Sequence, residues 1–143
     1  MAKMANAVTR ASRSRLPESE KITINLSFVD LGQIDLLVEE AFYSNRTDFI
    51  RTAIRNQLAR HDDALKKTVS RRNLDLGLRH YSRSDLEEVV RRGESLDIVV
   101  VGLASIAEDV TPELAKRAIS SVQILGALHA SPSVKAALAD RLR

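Results

Sequence analysis

The sequence predicts an α+β fold built in two parts, and three observations carry that expectation. Residues 21–26 alternate strictly between polar and apolar, the stretch to residue 60 holds two helix patterns joined by a polar turn, and from residue 74 a strand, a glycine and a capped helix recur three times.

In Lys21-Ile22-Thr23-Ile24-Asn25-Leu26 a strand places Ile22, Ile24 and Leu26 on one face and Lys21, Thr23 and Asn25 on the other. One short strand cannot pair its own backbone groups, and a two-stranded ribbon is marginal unless something packs beneath it. A second copy of the same strand is the simplest partner. Ser27 and Asp30 then have the spacing of a capping box, and Leu31, Ile34, Val38 and Ala41 fall on one helical stripe. Asp30 with Gln33 offers a second cap, so the start of this helix is open by three residues. Asn45 and Asp48 cap the next helix, along which Phe49, Ile50, Ala53, Ile54, Gln57 and Leu58 repeat at three and four while Arg51, Arg55 and Arg60 point elsewhere.

This strand, followed by the turn Tyr43-Ser44-Asn45-Arg46-Thr47-Asp48-Phe49-Ile50-Arg51, resembles the ribbon-helix-helix DNA-binding module, whose common turn is Ser-Arg-Ser-Glu-x-Ile-Arg. The likeness covers residues 21–60 and rests on both signals standing in order at the right separation. It implies that two chains pair their strands into an antiparallel ribbon lying in the major groove, above four intertwined helices. Residue by residue, it implies that Lys21, Thr23 and Asn25 contact bases, and that Ser44, Asn45 and Arg46 hold a phosphate. The implied dimer core is Ile22, Ile24, Leu26, Ile34, Val38, Ile50, Ile54 and Leu58.

These roles are chemically reasonable. The major groove admits a two-stranded ribbon, lysine donates to guanine, and an asparagine amide grips adenine with two hydrogen bonds. Helix starts expose unpaired N–H groups that favour an anion. Taken alone, however, alternating polar residues are ordinarily the solvated face of a sheet, and Ser44, Asn45 and Arg46 are ordinarily plain caps.

Composition sets the bounds. With 143 residues, 44% hydrophobic content and 29% charge, the chain reads as a soluble globular protein of one domain or two small ones. It has no cysteine, which excludes disulfides, thiolate metal sites and cysteine nucleophiles and is compatible with a cytoplasmic location. No apolar run reaches the length of a membrane span, and Met1 to Glu20 lacks the continuous apolar stretch expected of a secretory signal. Residues 1–20 are expected to be a disordered basic arm whose Arg10, Arg13 and Arg15 are candidates for DNA backbone contact, an uninvolved tail being the alternative. Net charge is only +3, and residues 1–65 hold nine Lys and Arg against nine Asp and Glu. Any attraction to DNA therefore depends on where the charges sit. A basic linker is expected over 64–73, joining a DNA-binding and dimerisation domain over 21–63 to an α/β domain over 74–143.

Within the second domain the repeated units run from Leu74 to Tyr81 with Ser82 as cap, from Leu96 to Ile106 around Gly102 with Thr111-Pro112, and from Ser121 to Ala130 around Gly126 with Ser131-Pro132. Inward positions on the helices are Leu86, Val89 and Val90, then Ala115, Ala118 and Ile119, then Ala137 and Leu138. Proline suits the first helical position because its missing N–H would be unpaired there anyway. Helices between strands require parallel pairing, so the domain is expected to be a short, solenoid-like sheet with helices along one side. The apolar run Ile98 to Val101 reads as a middle strand covered on both faces, and the outer strands near Leu74 and Val122 read as exposed edges open to oligomerisation.

An enzyme is not expected: His61, His80 and His129 are scattered, and no phosphate loop, metal spacing or nucleophile elbow occurs. A nickel-responsive repressor joins the same DNA-binding module to an α/β domain, but its site needs several histidines and a cysteine that this chain lacks. No metal and no cofactor are expected. The resulting expectation is a sequence-specific regulator of transcription, a repressor, binding double-stranded DNA as a homodimer or a higher assembly. An antitoxin with a protein partner and a DNA-organising or partition scaffold remain the alternatives.

Overall fold

The computed structural model describes residues 19–143, which form two compact units, residues 20–71 and residues 72–143. Of the expected basic arm only Ser19 and Glu20 are described, and Arg10, Arg13 and Arg15 lie outside the described residues.

The first unit holds helices α1 (Phe28–Glu39), α2 (Arg46–Arg60) and α3 (Asp62–Arg71). Between the two candidate caps, Ser27 starts α1: its hydroxyl oxygen accepts the Asp30 N–H at 3.1 Å and donates to the Asp30 carboxylate at 2.8 Å. The helix ends one residue before Glu40, and Ala41 lies beyond it in the left-handed region at φ 63° instead of on the expected inward stripe. There the Ala41 N–H donates to Val38 and the Phe42 N–H to Leu37, which closes the helix in a Schellman turn. Residues 62–71, which take in most of the linker expected over 64–73, are instead helical. Asp62 and Asp63 in the first turn and Arg71 in the last complement the helix dipole, and Lys66 pairs with Asp62 at 2.8 Å.

The second unit is a parallel sheet of β1 (Asp75–Tyr81), β2 (Leu96–Ile106) and β3 (Ile119–His129), paired in that order. Crossovers carry α4 (Arg83–Arg91) and α5 (Pro112–Ala118), and α6 (Pro132–Ala137) with a 3-10 turn (Ala139–Arg141) follows β3. Ser82, Thr111 and Ser131 each cap the helix that follows, and prolines occupy the first turn of α5 and α6. The helices cover one face of the sheet. Leu86, Ala115, Ala118, Val134 and Leu138 meet Ile98, Val100, Ala104, Ile106 and Val122 in a single buried core.

Three differences from expectation have physical causes. Ile119 is not the end of a helix but the buried first residue of β3, where a β-branched side chain suits the strand and its backbone pairs opposite Leu96. The β3 edge is partly covered, since the Arg143 N–H donates to the Val122 carbonyl at 2.9 Å and Leu142 bridges to Val122. On β2, Ile98 and Val100 are buried but Val99 and Val101 are only half-buried, so the middle strand is covered on one face and not on both.

Gly77, Gly102 and Gly126 stand side by side across the three strands, at φ 125°, 137° and 124°. A Cβ on Gly102 would lie 2.2 Å from the Gly77 carbonyl oxygen, and one on Gly126 would lie 2.0 Å from that of Gly102. Only glycine fits this row. At the same end of the sheet, Ser105 is buried and its hydroxyl meets His80 Nδ1 at 2.7 Å, tying β1 to β2. At the opposite end the Asp97 carboxylate accepts the hydroxyls of Ser120 and Ser121 at 2.7 and 2.6 Å, which hold its carboxyl below the usual carboxylate range.

Candidate nucleic-acid interface

Residues 21–26 precede α1 and form no helix and no strand pairing among the described residues. Lys21, Thr23 and Asn25 are exposed, as the sequence expects of a reading face, but Ile22 and Ile24 are also 71% and 56% exposed. A segment with an apolar side this open has its complement elsewhere.

The helices behind it point the same way. Ile34 is buried, Val38 and Ile50 are half-buried, and Leu26, Ile54 and Leu58 are exposed. Ile24, Leu26, Ile34, Phe49, Ile50 and Ile54 line an open groove of about 370 Å³. Five of the eight expected core residues share this groove, which one chain does not close; Ile22, Val38 and Leu58 do not line it.

Sequence reasoning missed part of this apolar surface. Phe28, Val29 and Leu36 on α1, Phe42 in the turn and Leu65 on α3 are all exposed. The signal was present, because apolar residues run all round α1, and a helix apolar on every side is ordinarily buried on every side. A search for one inward stripe passes over it.

The turn into α2 is arranged by its own residues. The Asn45 side-chain oxygen accepts the Asp48 N–H at 2.8 Å, and the Ser44 N–H donates to the Asp48 carboxylate at 3.0 Å. Tyr43 and Phe49 meet edge to face with centroids 5.0 Å apart, which fixes the entry of the chain into the helix. Arg46 grips Asp35 on α1 with two hydrogen bonds, of 2.7 and 2.8 Å. That fork holds the Asp35 carboxyl below its usual range and raises Arg46. Ser44, Asn45 and Arg46 are thus together at one helix start, each already engaged by a group of this chain.

The ribbon-helix-helix transcriptional regulator family model matches residues 17–135. The match spans both structural units, and the chain belongs to that family. It is a DNA-binding regulator of transcription that dimerises, in a family of regulators and not of enzymes. Comparison with curated proteins and with solved structures finds no match. Among the described residues no helix is long and apolar enough to cross a membrane, and no group of three or more histidine or carboxylate side chains is placed to hold a metal.

Proposed function

We propose that this protein is a sequence-specific repressor whose dimer reads the major groove with an antiparallel ribbon formed by residues 21–26 of each chain. Lys21, Thr23 and Asn25 meet base edges, and Ile22, Ile24 and Leu26 face the helices of the dimer. The observation that carries the reading is the open apolar set formed by the underside of this segment, α1 and α2. A second copy fills it with the same residues, and its strand satisfies the backbone groups that this chain leaves unpaired.

Base contacts select the site and phosphate contacts fix register. In this reading the turn at Ser44, Asn45 and Arg46 meets the sugar-phosphate backbone, with Arg46 exchanging Asp35 for a phosphate. Residues 21–63 serve as the reading head and residues 74–143 as a separate assembly domain.

The test replaces Thr23 and Asn25 with alanine in the full chain and compares binding to a fragment selected from random DNA with binding to random DNA. Each well-placed base contact discriminates by about 1–3 kcal/mol, so site preference should collapse while the dimer and its nonspecific affinity persist. Undiminished preference refutes the assigned reading face.

A further inference from the structure

The open face of the C-terminal sheet is apolar. Leu76, Val101 and Leu125 stand opposite one another across the three strands, and Leu78, Leu103 and Ala127 form the next row. Leu76, Leu78 and Leu125 are 68%, 66% and 51% exposed, whereas the residues between them in sequence turn toward the helices or are the row of glycines. Val99 and Gln123 extend the same face, and neither they nor the two rows contain a charged side chain; by the same alternation Asp97, opposite Ser121, lies at one end of the face and His80 and His129 at the other. All-parallel sheets are ordinarily covered on both faces, and an apolar patch of this kind ordinarily marks a contact.

We propose that this face packs against the same face of a second copy of the chain, forming a two-fold sheet-on-sheet contact separate from the reading head. Two features of the molecule select that occupant. The central rows carry no charge, and Asp97 at the margin is engaged by Ser120 and Ser121, so the centre of the face meets its own copy with no like-charge repulsion and no orphaned ion, as an isologous contact requires. The family's dimerisation, moreover, ties two such faces into every assembly, so their meeting proceeds at the high effective concentration of a tethered pair. Sheets so paired lie about 10 Å apart with interdigitated side chains. This inference rests on the reading-head dimer as the tether, and its test separates the two.

The chain has no cysteine, so one introduced thiol reports one place. Full-length Leu125→Cys, on the open face, and Glu113→Cys, exposed on α5 on the helical side, are treated with a bis-maleimide long enough to span paired sheets, after sedimentation has established their mass. Leu125→Cys should cross-link roughly tenfold faster or more than Glu113→Cys, as an effective-concentration difference of that size implies. Adding Leu78→Lys to Leu125→Cys should slow it to the Glu113→Cys rate and leave affinity for a selected DNA fragment unchanged. A DNA-binding dimer whose two thiols cross-link equally slowly overturns the face contact and leaves the reading head standing. A monomer that does not cross-link overturns both. A Leu125→Cys dimer that neither cross-links nor reacts with a bulky maleimide shows another segment covering the face, which also overturns the proposal.

Discussion

Ala41 and Arg46 are two residues whose local chemistry is at odds with their position. Ala41 takes φ 63° at the end of α1, where the equivalent place after α4 holds Gly93 at φ 69°, its N–H donating to Val90. Both close a helix, but only glycine does so without steric cost. Ala41→Gly should therefore raise stability by about 0.5–1 kcal/mol, and Gly93→Ala should lower it by about 1 kcal/mol or more, both read from urea midpoints. An unchanged midpoint for Ala41→Gly would mean that the left-handed turn is not the native one. Arg46 is held by Asp35, whose depressed carboxyl sets the sign of the pH effect: the pair contributes above the ordinary carboxylate range, near pH 4, and is lost as pH falls through the lower folded value. Asp35→Asn removes that hold at neutral pH. If Arg46 goes to phosphate, the substitution should tighten nonspecific DNA binding, because no ion pair has to be broken, and Arg46→Ala should lower the salt slope by about one phosphate contact per chain. An unaltered salt slope would leave Arg46 as a structural clasp between α1 and α2.

At the scale of elements, the glycine row sets the geometry of the sheet. Gly102 carries a positive φ and the Gly77 carbonyl against its α-carbon, whereas Gly77, on the outer strand, has the positive φ but nothing within 4 Å of the place a Cβ would take. Gly102→Ala should cost on the order of 3 kcal/mol or more, combining backbone strain with a clash against main chain, and Gly77→Ala only the strain, about 1–3 kcal/mol. Thermal melts of the two variants rank them, and equal losses would show that the strands do not approach as closely as they are placed. This row also marks what was legible. A glycine at the same place in three apolar runs, each followed by a Ser or Thr cap, revealed the repeat from residue 74 and its three caps. The positive φ at each glycine was not legible, because glycine populates either sign of φ and its presence in a strand pattern does not say which. The helix α3 was hidden for a different reason: Lys66, Lys67, Arg71 and Arg72 dominate residues 64–73, and their charge masks Leu65, Thr68 and Val69, which repeat at three and four. At the candidate site, the alternation of residues 21–26 and the Asn45 cap could be read from spacing, but the Asp35 grip on Arg46 joins residues in different helices and has no local signature.

For the molecule as a whole, the two units differ in what holds them together. Residues 72–143 enclose their own core of Leu86, Ile98, Val100, Ile119, Val122 and Leu138, all but fully buried. Residues 20–71 contain one buried apolar residue, Ile34, beneath an open groove. A unit with so little interior of its own draws its stability from association, and stability so gained rises with protein concentration. Ile24→Asp tests this directly, since Ile24 lines the groove and an aspartate there enters an apolar interface without a partner. Hydrogen exchange on the full-length variant should show α1 and α2 losing protection, with amides of β2 still protected and sedimentation reporting loss of the head-to-head contact. In the unsubstituted protein, dilution should lower the protection of α1 before that of β2. Protection of α1 that is independent of concentration and survives Ile24→Asp would mean that a single chain closes its own first unit, and the intertwined reading head would have to be abandoned.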